Sequence, residues 1–128
     1  MQNQIIMEEK NKDEIILAAV DDMFFAAKIR GTGEALGITV RTVRNTEKFF
    51  EKLAESKPKK VIVDLHSEKC DPFLIAEKIK EDEHLRDVSL IGFFSHVHTE
   101  LMNRAIEAGY DEVLPRSAFT KRLNEILK

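Results

Sequence analysis

Short apolar runs alternate along this chain with longer stretches in which apolar residues return every three or four positions. Residues 15–20 (Ile-Ile-Leu-Ala-Ala-Val) form an unbroken apolar run that stops at Asp21-Asp22. Continuity, in place of alternation, predicts a strand covered on both faces. Phe25, Ile29, Thr32 and Leu36 then follow at helical spacing, with Gly37 as a stop. Gly31 and Gly33 inside that stretch each weaken a helix by about 1 kcal/mol relative to Ala, so its end is expected to fray. The β-branched run 38–43 predicts a second strand, and Asn45 or Thr46 can cap a helix carrying Phe49, Phe50 and Leu53. Residues 60–65 predict a third strand with a carboxylate, Asp64, near its end. Pro72 suits the first turn of a helix outlined by Phe73, Ile75, Ala76 and Ile79. A fourth strand over 88–94 precedes a helix marked by Leu101, Met102, Ala105, Ile106 and Ala108 and closed by Gly109. A short fifth strand over 111–114 leads into one final helix with Phe119, Leu123, Ile126 and Leu127 on its buried stripe.

Five strand–helix pairs in strict alternation imply right-handed crossovers and a parallel five-stranded sheet with helices on both faces. Residues 1–12 are polar apart from Ile5, Ile6 and Met7, and read as an N-terminal extension; residues 13–128 read as one domain. In such sheets ligands sit beyond the carboxyl ends of the strands. The strand ends here supply Asp21-Asp22, Asp64, Phe94-Ser95-His96 and Pro115-Arg116, which should converge in space although they are far apart in sequence.

Composition narrows the setting. A chain with 43% hydrophobic and 34% charged residues is an ordinary globular protein. Twenty basic against twenty-three acidic side chains give a net charge of −3, which argues against general nucleic-acid coating. The one cysteine, Cys70, excludes an internal disulfide framework and fits a reducing compartment. No apolar run approaches a membrane span, and the first residues lack the pattern of a signal peptide. The expected location is cytoplasmic, with no direct contact to nucleic acid or membrane.

Three carboxylates at one sheet edge repel one another unless a cation neutralises them or one stays protonated. Mg²⁺ is the economical cation, since it takes a few carboxylates and keeps several waters. Asp21, Asp22 and Asp64 are therefore the candidate metal ligands. With a metal bound, one Asp could act as nucleophile toward a phosphoryl donor. Ser95 and Arg116 supply a hydroxyl and a cation of the type that holds phosphoryl oxygens.

At this point the chain resembles the receiver domains of two-component response regulators. The resemblance spans residues 13–128 and rests on Val20-Asp21-Asp22, on the 61–65 stretch Val-Ile-Val-Asp-Leu, on the Ser95 loop and on the 105–114 segment Ala-Ile-Glu-Ala-Gly-Tyr-Asp-Glu-Val-Leu. It implies a flavodoxin-like (βα)5 three-layer sandwich with strand order 2-1-3-4-5. It also implies an acid pair at Asp21 and Asp22 holding Mg²⁺, phosphoryl acceptance on Asp64 from a histidine kinase, and a hydroxyl switch at Ser95, with Phe94 competing for that position. Activity beyond self-catalysed phosphoryl acceptance is not expected. The chain departs from the family pattern in several places. Where the family has Lys followed by Pro, residues 114–117 read Leu-Pro-Arg-Ser, so the cation is Arg116 and the order is inverted; Arg does not substitute freely for Lys. The loop after Asp64 lacks the usual Met-Pro and later Gly, and the family's switching aromatic falls at Val113. Such departures mark atypical or pseudo-receiver domains.

Two functional readings follow, and the resemblance leaves both open. One is an atypical receiver that relays a signal by protein–protein contacts, with Mg²⁺-dependent phosphorylation of Asp64. The other is a phosphorylation-independent pseudo-receiver with a vestigial acidic pocket, in which Asp21 or Asp22 simply caps a helix and Asp64 pairs with Arg116. No output domain follows in these 128 residues, so the expected partners are a histidine kinase or another signalling protein, or a second copy through the helix-four, strand-five, helix-five side. A third, weaker candidate is a metal-dependent enzyme using His66 and His96 with Asp64. His98 is expected to begin a helix that points it away, and His84 to be solvated. The glycines at 31, 33 and 37 are out of step with a dinucleotide-binding fingerprint and do not follow a strand. The basic residues of 57–60 read as a solvated connection, and Cys70 as an idle thiol.

Overall fold

The computed structural model describes residues 15–128; the expected extension over 1–12 lies outside them. Five parallel strands, β1 (Ile15–Ala19), β2 (Thr39–Val43), β3 (Lys60–Asp64), β4 (Ser89–Phe94) and β5 (Glu112–Pro115), form one sheet in the order β2-β1-β3-β4-β5. The helices are α1 (Met23–Ala35), α2 (Thr46–Glu55), α3 (Pro72–Glu81), α4 (Thr99–Ala108), α5 (Arg116–Lys121) and α6 (Leu123–Leu127), with a 3-10 turn at Glu83–Leu85. The parallel sheet with helices on both faces that the alternation implies is observed, in the flavodoxin-like order that the resemblance implies.

Strand residues alternate between two apolar layers, as the period of a pleated strand requires. Ile16, Ala18 and Ile62 pack with Phe25 and Ile29 of α1 and with Phe119, Leu123 and Ile126 of α5 and α6. Leu17, Ala19, Val61 and Val63 pack with Phe49 of α2, Ile75 and Ile79 of α3, and Ala105 of α4. All five residues of β1 are buried, which explains why its sequence is continuously apolar. Each buried Leu, Ile or Phe contributes roughly 1.5–3 kcal/mol relative to an exposed one.

Local signals set the boundaries. Asn45 caps α2, its side chain accepting from the Lys48 amide at 2.8 Å, so Asn45 and not Thr46 takes that role. Pro72 stands in the first turn of α3 behind the cap Asp71. Gly109 closes α4 with φ of 113°, a conformation open to glycine.

Two expectations need correction. The first helix does not fray at its glycines but runs through both to Ala35. A Cβ at Gly33 would lie 2.6 Å from Val40 Cγ2 and 2.9 Å from the Ile38 carbonyl oxygen, so the missing side chain lets α1 lie directly on β2. The final helix is two short helices, α5 and α6, broken at Arg122. Arg122 bonds Glu112 of β5 at 3.2 Å and Glu125 at 3.5 Å.

Candidate functional site

The carboxyl ends of β1, β3 and β4 and the start of α5 meet at one edge of the sheet. Parallel pairing places Ala19 beside Val63 and Asp64 beside Phe93, so the residues that follow β1 and the end of β3 share this edge. Asp64 is the one buried charged side chain among the described residues, 7% exposed. Its Oδ1 accepts from the His66 amide at 2.9 Å. No buried side-chain oxygen or nitrogen among the described residues lacks a partner, and Oδ2 has no bond from them, so what exposure Asp64 keeps includes this second oxygen. Burial pushes the Asp64 carboxyl above its ordinary value, and the Asp21 charge adds to the rise; the His66 amide, and the His66 and Arg116 charges, act against it.

Asp22 is the cap of α1, its Oδ1 accepting from the Phe24 and Phe25 amides at 3.0 and 3.1 Å. Its Oδ2 faces Arg116 Nη2 at 3.4 Å. The Phe25 amide, with help from Arg116 and Phe24, holds the Asp22 carboxyl below the ordinary range against some desolvation. The Arg116 guanidinium also lies 3.9 Å above the Phe25 ring, a cation–π contact. Phe25, Phe93 and Phe119 pack ring against ring beneath it. Arg116 therefore pairs with Asp22, and the expected Arg116–Asp64 pair is not formed. Asp22 completes α1 and reaches Arg116 at the same time.

Asp21 Oδ2 accepts from the Ser67 hydroxyl at 3.0 Å, and that hydroxyl oxygen accepts from the Cys70 amide at 3.0 Å. Sequence reasoning passed over Ser67; the available signal was a hydroxyl three residues beyond Asp64, on a loop at the same edge. Ser95 follows the last residue of β4 and is exposed, whereas Phe94 belongs to the strand and is 3% exposed.

The His66 and His96 rings stack, with centroids 4.2 Å apart and 18° between planes, and His66 Nε2 is 3.3 Å from the His96 carbonyl oxygen. The two loops are adjacent, as expected. Ring nitrogens offer their lone pairs in the ring plane, so two nearly parallel rings do not aim at one ion; the pair is no ready metal chelate. His98 caps α4, its Nδ1 accepting from the Leu101 amide at 3.0 Å. Cys70 is fully buried, and burial raises its thiol.

Among the described residues no three His, Cys, Asp or Glu side chains form a group that could hold a metal ion. Carboxylate oxygens are the donors that Mg²⁺ takes, but Asp22 is committed to the helix cap and to Arg116. The acceptor capacity that fits a hard cation lies on Asp21 and Asp64.

No protein-family model matches the sequence, and no curated protein does. The fold has many solved counterparts. It superposes on the signal receiver domain of a DNA-binding response regulator from Colwellia psychrerythraea 34H with TM-score 0.79 at 23% identity, over 89% of this chain and 95% of that one. A response regulator from Burkholderia pseudomallei, solved with a phosphorylated aspartic acid, calcium ion and citrate, gives 0.78 at 19%, over 91% and 67%. The beryllofluoride-activated NtrC4 receiver domain, solved as a dimer, gives 0.73 at 18%, over 88% and 94%. The chain has the receiver-domain fold. Among the described residues no helix is long and apolar enough to cross a membrane.

Proposed function

We propose that this chain is an atypical receiver module that relays a signal through protein–protein contacts and accepts a phosphoryl group on Asp64. The observation that carries this reading is the state of Asp64: a carboxylate buried at the carboxyl edge of the central strand, one oxygen fixed by a backbone amide and the other left outward. In the transfer, that outer oxygen forms an O–P bond as the bond from phosphorus to the donor's leaving group breaks, and the leaving group departs with the electron pair. Asp21 and Asp64 would hold Mg²⁺, which neutralises charge on the transferring oxygens. Ser95 is the hydroxyl candidate for the transferred group, and Arg116, whose Nη2 pairs with Asp22, is the cation candidate. That the Burkholderia regulator of the same fold carries a phosphorylated aspartic acid and a calcium ion supports the acceptor reading.

Exposed apolar side chains support the contact reading. Phe24 and Val97, 91% and 78% exposed, flank the acidic edge, and Ile106 stands exposed on α4. Partners of the histidine-kinase type would dock beside Asp64, and a second copy would use the α4–β5–α5 side, the dimeric NtrC4 domain being a precedent for self-association. The test is intact-mass analysis after incubation with acetyl phosphate and Mg²⁺. One added phosphoryl group, lost in Asp64→Asn, is expected; no adduct on the parent chain refutes the acceptor role.

The Arg116–Asp22 pair favours a second reading, in which an internal cation replaces the metal and the module binds its partner constitutively. That reading requires partner binding to survive Asp64→Asn unchanged, and a large loss excludes it. Catalysis beyond phosphoryl acceptance forms no part of either reading.

A further inference from the structure

At the opposite flank of the same edge, where β2 turns into α2, lies a cavity of about 520 Å³. Four cationic residues line it from three separate segments: Arg44 from the turn, Lys48 and Lys52 from successive turns of α2, and Lys69 from the loop after β3. Glu51 is the one carboxylate in the lining among the described residues. The described lining thus carries a surplus of three positive charges in a chain whose total is −3.

Hydrogen bonds hold the segments that carry these cations side by side. Thr46 fixes the Lys69 segment to the start of α2: its amide and hydroxyl donate to the Lys69 carbonyl at 3.1 and 3.3 Å, and its hydroxyl oxygen accepts from the Asp71 amide at 2.9 Å. Asn45, also in the lining, ties down the first turn of α2 through the Lys48 amide. Among the described residues, Lys48 and Lys52 pair with exposed carboxylates of their own helix, Glu51 at 3.4 Å and Glu55 at 3.2 Å. Such pairs are weak and give way to a better anion.

We infer that this cavity is a binding site for a small phosphorylated ligand carrying more than one negative charge. Lysine ammonium groups act as point-charge phosphate binders, and Arg44 adds a planar donor fork. A volume of this size falls in the range of small-molecule sites. The net negative charge of the rest of the chain works against a long polyanion, which would have to extend beyond the cavity.

The test is a two-dimensional ¹H–¹⁵N NMR titration of the full chain with inorganic pyrophosphate, free of divalent ions so that the acidic edge takes no part. Saturable shifts centred on the amides of Arg44, Thr46, Lys48 and Lys69 are expected, with saturation at or below about 1 mM. The double variant Arg44→Gln/Lys69→Gln, which breaks no ion pair described above, should weaken binding at least about tenfold. Lys57→Gln/Lys121→Gln removes the same charge elsewhere and should leave binding as it is. Unsaturable shifts spread over many surface lysines, equal losses in the two double variants, or shifts centred on Asp21 and Asp64 would each overturn the inference.

Discussion

Gly92, in the middle of β4, lies against Leu65, the residue that follows Asp64. An added Cβ there would sit 2.9 Å from Leu65 Cδ2, 3.0 Å from Cγ and 3.1 Å from Cδ1. Leu65 follows Asp64 directly; its side chain is 3% exposed within the α2–α3–α4 layer, and its amide donates to the Phe93 carbonyl at 2.9 Å. The backbone is pinned, so the side chain must yield into packed surroundings. Overpacking of this kind costs about 1–3 kcal/mol. Replacing glycine returns about 0.4–1 kcal/mol through the unfolded state, leaving Gly92→Ala less stable by roughly 1–2 kcal/mol. For a chain of this length that is a fall in Tm of a few degrees per kcal/mol. Urea unfolding of four proteins measures it: the parent, Gly92→Ala, Leu65→Ala and the double variant. Leu65→Ala alone should cost about 2–5 kcal/mol. In its background the new methyl enters vacated space, so the second substitution should be neutral or stabilising, an interaction of about 1–3 kcal/mol. Additive costs, or a Gly92→Ala chain as stable as its parent, would refute the steric account.

Two further outcomes follow from single groups. Because the folded-state carboxyl of Asp64 lies above the ordinary 3.8, the folded chain binds that proton more tightly than the unfolded chain does. The burial penalty is absent below the unfolded value and grows as pH rises through the raised one, so stability contributed at this position falls with rising pH. Denaturation midpoints taken from about pH 4 to about pH 7 should show a decline in the parent that Asp64→Asn lacks; parallel profiles would contradict the assignment. The Tyr110 hydroxyl, buried, donates to the Pro72 carbonyl at 2.7 Å, so Tyr110→Phe removes that bond at a cost of about 0.5–1.5 kcal/mol, the carbonyl keeping its place in the α3 ladder. Equal thermal midpoints for Tyr110→Phe and its parent would count against that bond as a stabilising link between β5's approach and α3.

The sequence made the layers legible because a strand buried on both faces must be apolar throughout, as residues 15–19 are, and because a helix shows one face, as Phe25 and Ile29 do. It likewise placed Asp21, Asp22 and Asp64 at one edge, since topology alone decides where strand ends meet. It could not decide which partner each carboxylate takes. Arg116 faces Asp22 because it rests on Phe25, a contact between residues 91 positions apart that no local pattern encodes. The two glycines of α1 misled for a related reason: intrinsic propensity counts the cost of Gly33 but not the close approach to Val40 that requires it. The basic cavity was half visible, in the four-residue spacing of Lys48 and Lys52; Lys69 joins them only through the long-range bonds of Thr46.

The two outer strands decide how this molecule can be gripped. β5 is four residues long and ends on Pro115, which has no amide hydrogen to offer a neighbour. β2, the other outer strand, exposes Thr39 and the charged Arg41 along its length. A short border closed by proline and a border carrying charge are both poor templates for an incoming strand. Association by strand addition, the commonest route from an open sheet to unwanted polymers, is thereby discouraged at each side, and recognition is left to helices and loops.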